Sequence, residues 1–311
     1  MKHPAPPPRQ RGLPTTERGG IALRHINQSE LTTFTRCRRK WQYGYHEGFK
    51  KPSYESNLET GSAVHSALQA YYQNQDPFAA LKAYWAPVVE AIADRDVPVV
   101  VQVMKDINLS NIMIEGYLQW AEEEAVDAGL TVVAIEEKVE ILLRPDVTLH
   151  GTMDLVMADP DGNLHLIDHK TTAAFGILTD RRMQLNFQLL TYAVLCEEFF
   201  GKAPAGAYLN MLRKVQRTAA AKPPFYQREP VHFNRHQLTA HRKHMDAILT
   251  DLLRIEDEIA LGDDSSCYPV VDQDCSWKCP FLSVCAFADD GSDIEGALND
   301  LYVRSDRKVR T

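Results

Sequence analysis

The sequence predicts a mixed α/β fold, and three observations carry that expectation. Residues up to 128 show apolar stripes at helical spacing. At Thr131 the period changes, and Thr131–Leu143, Val147–Ala158 and Leu164–Thr172 alternate or run apolar in short, turn-bounded segments. Helix and strand signals then alternate as far as Leu261. The pattern is a helical first half, a mixed αβ core of about four strands, then a helix and a cysteine-rich closing segment.

Element by element, residues 1–24 are Pro- and Arg-rich with little periodicity, and a disordered tail is expected there. Ser29 can cap a helix reaching Tyr45, with Leu31, Phe34, Trp41 and Tyr45 on one stripe and Arg36, Arg38, Arg39 and Lys40 around Cys37 on the other face. Residues 58–75 read as a second helix, with Val64, Leu68 and Tyr71 aligned. Residues 77–128 read as helical with one interruption at Pro98. After the three strands come a helix at Met183–Phe200, a strand at Ala205–Val215 and a long helix at His236–Leu261. A single domain is expected over 25–287, with a helical portion at 58–128, an αβ core at 131–261 and a cysteine cluster at 275–285. Residues 288–311 read as an Asp-rich tail.

The middle of the chain holds the most chemistry. Asp159-Pro160-Asp161-Gly162-Asn163 is strong turn sequence: Pro160 and Asp161 suit a type I turn, and Gly162 suits the left-handed residue that closes a three-residue hairpin loop. If Asp159 pairs with Asn163, counting back puts Asp154 opposite Asp168, and Lys170 shares their face because strand side chains repeat every two residues. Like charges directly opposite each other destabilise a sheet. Two carboxylates so placed, with a lysine beside them, point to a divalent cation. Magnesium takes hard oxygen ligands, and a fixed lysine charge can stabilise negative charge developing on a phosphate. Ordinary surface charges on an exposed hairpin are the plainer alternative.

The composition bounds the rest. At 311 residues and 44% hydrophobic content the chain can bury a large core. No run approaches the roughly 18 uninterrupted apolar residues of a membrane span. No apolar segment follows the basic start, so a cytoplasmic, reducing compartment is expected, with cysteines serving as free thiols or metal ligands. Net charge is −8, but it is unevenly spread. Residues 1–51 carry 11 Lys/Arg against 3 Asp/Glu, as do residues 181–243, whereas residues 90–140 carry 3 against 12. A basic groove on an acidic protein is therefore open to it. The segments at 36–40 and 213–228, interleaved with Trp41, Tyr43, Phe225 and Tyr226, suit strand tracking with stacking platforms.

Gly61-x-x-x-His65, Gly151-x-x-Asp154, Asp168-x-Lys170 and Gln188-x-x-x-Tyr192 together resemble, in order and spacing, the motifs of RecB-like nucleases of the PD-(D/E)XK superfamily. The resemblance spans about residues 29–287. It implies a restriction-endonuclease-like core: a central mixed sheet flanked by helices, with a helical N-terminal insertion. It also implies that His65, Asp154 and Asp168, with the backbone carbonyl of His169, bind Mg²⁺ or Mn²⁺, that Lys170 is catalytic, and that Gln188 and Tyr192 support the site and the DNA strand. The family more often has Glu at the position of Asp168.

Cys275-Ser-Trp-Lys-Cys279-Pro-Phe-Leu-Ser-Val-Cys285 offers three thiols, and Cys37 is a candidate fourth. Spacing leaves zinc and an iron–sulfur cluster equally open. A subset of RecB-like nucleases, of the AddB and CRISPR-associated types, carries one cysteine before the core and three after it. That resemblance implies a [4Fe–4S] cluster on Cys37, Cys275, Cys279 and Cys285, clipping the C-terminal segment to the N-terminal helix. Three residues separate Cys275 from Cys279, where the family commonly has two. Cys196 reads as a buried thiol and Cys267 as a poorer ligand.

The expected function is a metal-dependent DNA exonuclease acting at single-stranded ends, similar to stand-alone exonucleases also found in bacteriophage genomes, and then working in the host cytoplasm. The sequence has no Gly-x-x-x-x-Gly-Lys-Ser/Thr phosphate loop, so unwinding would need a helicase or recombination partner. A catalytically idle DNA-binding or assembly subunit with a cluster or zinc site is the alternative. The full set of catalytic side chains favours the enzyme.

Overall fold

The computed structural model describes residues 17–18, 21–52, 54–92, 96–176, 183–276 and 278–305. Residues 1–16 and 19–20, where a disordered tail is expected, and 306–311 lie outside the described residues. The chain divides into two compact units. One takes in Tyr54–Leu142 and His150–Thr239 with the described residues up to Leu23, and the other takes in Arg24–Ser53, Leu143–Leu149 and the described residues from Ala240.

In the first unit three helices come before the sheet in the chain. They are α1 (Ser56–Tyr72), α2 (Pro77–Ala91) and α3 (Val97–Glu123). Asp76 caps α2 by accepting from the Phe78 N–H. Pro98 stands in the first turn of α3, where a missing N–H costs nothing, so it begins a helix rather than interrupting one. The three pack through Ala63, Val64 and Leu68 of α1, Leu81 and Trp85 of α2, and Val103, Met113 and Tyr117 of α3. Among the described residues, α3 is the one helix long and apolar enough to cross a membrane. Here its apolar residues supply part of the core of this unit.

The sheet of this unit is built from β1 (Thr131–Arg144), β2 (Val147–Ala158), β3 (Leu164–Thr172), β4 (Gly206–Arg213) and β5 (Tyr226–Val231). It is mixed: β2 and β3 are antiparallel, β3 and β4 parallel, and β4 and β5 antiparallel, while β1 pairs with β2. The β2–β3 turn follows its sequence. Gly162 takes φ 77°, its N–H donates to the Asp159 carbonyl at 2.9 Å, and the Asp159 N–H donates to the Asn163 carbonyl at 3.0 Å. The register runs Ala158 to Leu164 and Leu155 to Ile167, so one step further sets Asp154 against Asp168.

Strand β5 is absent from the sequence reading. It holds Arg228 largely buried, donating to Asp127 at 2.6 Å, to Asn210 Oδ1 at 3.1 Å and to the hydroxyls of Tyr72 and Tyr117 at 3.1 Å each. The helix that follows β3, α4 (Phe187–Phe200), is capped by Asn186 and ended by Gly201 in the left-handed region. It lies close on β2: a Cβ at Gly151 would meet Leu195 at 2.7 Å and Tyr192 at 3.3 Å.

In the second unit the helix expected from Ser29 to Tyr45 is broken. Gln28–Arg36 is helical and capped by Asn27, Cys37 is extended at φ −159° and ψ 110°, and the helix resumes at Arg38–Trp41 with a wider turn over Gln42–His46. Arg24, placed by composition in the tail, belongs to the strand Arg24–Asn27 and pairs with Glu30 and Glu256. The described part of the expected tail, 288–305, is likewise structured. Asp293 caps a helix at Ile294–Leu301, and Val303–Arg304 pairs antiparallel with Phe49–Lys50. Leu298 and Tyr302 close a small core with Tyr43, Phe49, Phe281 and Val284.

Candidate metal centre and cysteine pocket

Adjacent antiparallel strands deliver the two carboxylates, and both are desolvated. Asp168 is 2% exposed, and Asp154 Oδ2 accepts the His169 backbone N–H at 2.8 Å. Burial pushes the Asp154 carboxyl up to about 6, with His65 opposing and the charge of Asp168 adding to the rise. Lys170 Nζ donates to Asp168 Oδ1 at 2.9 Å. Burial works to lower the Lys170 pKa, but Asp168 and then Asp154 outweigh it and the net shift is upward, so the lysine is cationic here. Asp168 Oδ2 is buried and lies 2.7 Å from Lys170 Nζ. Two desolvated carboxylates beside a single lysine leave negative charge that a divalent cation would balance.

His65 comes to the same place from α1. A Cβ at Gly61, one turn before it, would meet Thr171 Oγ1 at 3.3 Å, so the glycine lets the helix approach the end of β3. The Nε2 of His65 donates to the His169 carbonyl oxygen at 3.0 Å. Octahedral ligands at ~2.1 Å stand ~3.0 Å apart across a right angle, so the same spacing would suit one Mg²⁺ or Mn²⁺ once the proton moved from Nε2 to Nδ1. The His169 ring itself points away into the core. Asn210 donates to its Nδ1 at 2.9 Å, Tyr72 stacks on it at 5.9 Å, and burial holds its pKa well below the usual value, so the ring is neutral. Residue 169 therefore offers its carbonyl to the site, while its side chain joins the buried network of Asn210, Tyr117 and Arg228.

Gln188 and Tyr192 project from α4 and bond to each other, Gln188 Nε2 donating to the Tyr192 hydroxyl at 3.1 Å. Burial chiefly raises the Tyr192 pKa, and the charges of Asp168 and Asp154 add to the rise.

One residue of the site escapes the sequence reading. Glu136 on β1 brings a carboxylate oxygen to 3.9 Å from His65 Nδ1, and His65, Glu136 and Asp154 hold ligand atoms within 4.8 Å of one another. Its backbone stands at φ 47°, a left-handed conformation inside a strand. For a residue with a side chain that costs about 1–2 kcal/mol, and such outliers gather at functional sites. A Glu-Glu pair in an alternating strand reads as solvated surface, so no signal in the sequence distinguishes it.

The expected stacking platforms are not all available. Trp41, Tyr43 and Tyr226 are buried, and the Tyr226 hydroxyl donates to the Met113 carbonyl. Phe225 is half-buried beneath the Arg217 guanidinium at 3.8 Å. The basic face around Cys37 is engaged within its own unit. Arg38 pairs with Asp251, and Arg39 bonds to both carboxylate oxygens of Asp289 at 2.9 Å.

Cys37, Cys275, Cys279 and Cys285 line one cavity of about 140 Å³, with Arg39 and Lys40 on the same wall. The Val270 N–H points to Cys37 Sγ and the Asp272 N–H to Cys275 Sγ, each at 3.5 Å. Among the described residues no three sulfurs lie within 4.8 Å of one another. Cys196 and Cys267 are buried away from this cavity wall.

A solved candidate exonuclease from Eubacterium rectale superposes with a TM-score of 0.50 at 11% identity, covering 75% of this chain and 81% of that one. At that identity the likeness speaks to the fold alone. A looser likeness, to the solved protein SSO0001, has a TM-score of 0.34 at 15% identity over 84% of this chain and 85% of that one. No curated protein matches the chain. The model of the PD-(D/E)XK nuclease superfamily matches residues 25–286. With the hairpin carboxylates, the lysine two residues on and a mixed sheet between helices, the chain belongs to the PD-(D/E)XK nuclease superfamily.

Proposed function

We propose that this chain is a Mg²⁺- or Mn²⁺-dependent DNA exonuclease of the RecB-like kind, hydrolysing phosphodiester bonds at single-stranded ends. The observation that carries the reading is the placing of Asp154 and Asp168 one step beyond the Leu155–Ile167 pair of the hairpin, with Lys170 against Asp168 and His65 Nε2 bonded to the His169 carbonyl. Asp154, Asp168, His65 and the His169 carbonyl would hold the cation. A bound divalent ion acidifies a water and polarises the phosphoryl oxygen. The protein supplies the rest. Lys170 presents a fixed positive charge where the phosphate gains negative charge, and Tyr192, held by Gln188, borders the strand. The exonuclease assignment of a protein sharing this fold points the same way. The nuclease would work in a reducing cytoplasm, a host's if the chain is phage-encoded, in DNA recombination or repair beside a partner that unwinds duplex.

In the same reading Cys37, Cys275, Cys279 and Cys285 carry a structural [4Fe–4S] cluster. All four line one cavity, and backbone N–H groups point at the Cys37 and Cys275 sulfurs, as hydrogen bonds do in such clusters. Burial raises the Cys279 and Cys285 thiols, with Lys40 and Arg39 opposing the rise.

The test is digestion of end-labelled oligonucleotides. With Mg²⁺ or Mn²⁺, stepwise shortening of single strands is expected, abolished by chelator and restored by either ion. Ca²⁺ should not restore it, because it prefers more ligands at longer distances. Digestion that persists in excess chelator would contradict the proposal.

A further inference from the structure

We infer that Glu136 is a positioning residue for the metal centre: it accepts the Nδ1 proton of His65 and so presents Nε2 to the cation. The inference rests on the metal-centre reading above. A neutral imidazole carries one N–H, so an Nε2 that ligates must leave the proton on Nδ1. That proton needs an acceptor, and two carboxylates face it: Asp154 Oδ2 at 3.6 Å and Glu136 Oε1 at 3.9 Å. Asp154 Oδ2 already accepts the His169 N–H at 2.8 Å and is a cation ligand in the proposed centre. Glu136 accepts no other hydrogen bond among those described and is the acceptor left over. Lys170 also acts on the imidazole, and it cannot accept a proton bond.

The backbone agrees with this assignment. Glu136 holds a left-handed φ within a strand, and that conformation aims a side chain that would otherwise follow the alternation of β1. Carboxylate, imidazole and cation in line fix the tautomer and ring orientation and raise the basicity of the ligating nitrogen.

The test is Mn²⁺ calorimetry on the full chain, with circular dichroism to confirm folding. Glu136→Ala should weaken Mn²⁺ binding by about 10–100-fold, the usual loss when such a partner is removed. Glu136→Gln keeps an acceptor oxygen for Nδ1 and should recover most of the affinity. In a His65→Ala background, Glu136→Ala should cost nothing more, since its effect runs through the imidazole. A further loss in the double variant, or a Gln variant as weak as the Ala variant, would make Glu136 a direct ligand and overturn the inference. Wild-type affinity in Glu136→Ala would overturn it too. If the wild-type chain itself bound no Mn²⁺, the metal-centre reading would fall first and this inference with it.

Discussion

Lys170→Ala is expected to lower DNA hydrolysis by about 10²–10³-fold, the scale seen when one preorganised charge or donor at a transition state is removed, while single-strand binding persists. The lysine contributes little packing. Its side chain is 39% exposed, and its one close partner is Asp168. Removing it leaves Asp168 without a counter-charge, a loss a bound cation makes good. Mn²⁺ affinity should therefore hold or rise as hydrolysis falls. Single-turnover digestion beside a filter-binding assay separates the two effects, and normal turnover in the variant would remove Lys170 from the mechanism.

Cys37→Ala is expected to be the most destabilising of the single cysteine changes. It should strip iron from anaerobically purified protein, bleach its absorbance near the blue edge of the visible range and lower the melting temperature. Metal binding is folding free energy when the site exists only in the folded chain. Cys37 lies more than two hundred residues before the other three thiols, so only folding brings it to their cavity. At this chain length ~1 kcal/mol corresponds to ~1–2 °C of melting temperature. A drop of several degrees is the expected scale. Cys196→Ala and Cys267→Ala should keep the chromophore, since neither lines the cavity. Full iron content in Cys37→Ala would confine the cluster to the C-terminal segment.

The hairpin was legible because its turn leaves one register open. Pro160 and Gly162 set the loop, and the period of two carries that register back to Asp154 and Asp168. The strand and helix order after Thr131 was legible for a similar reason, since apolar alternation there is set by burial against α4 and the N-terminal helices. Strand β5 was hidden because its inward residue is Arg228, a charge buried only by virtue of Asp127, Tyr72 and Tyr117, all far away in sequence. Glu136 was hidden by its backbone: one left-handed residue breaks the alternation that would have shown which way it points. Trp41, Tyr43 and Tyr226 read as stacking platforms because a basic neighbourhood suggests a surface. Yet the arginines beside them are held by Asp251, Asp289 and the Tyr226 hydroxyl, and the rings are core. The helix break at Cys37 leaves no mark in the apolar stripe, since Leu31, Phe34 and Trp41 are buried on both sides of it.

The most direct measurement of the central claim is Mn²⁺ binding by calorimetry to the wild-type chain and to Asp168→Ala. Asp168 is the more deeply buried of the two hairpin carboxylates, and its removal takes away one proposed ligand while keeping the His169 carbonyl and His65. Saturable binding by the wild-type chain, abolished or weakened by at least tenfold in Asp168→Ala, is the predicted result. Equal affinity in the two proteins would contradict the account, because the carboxylate pair across the hairpin would then hold no metal.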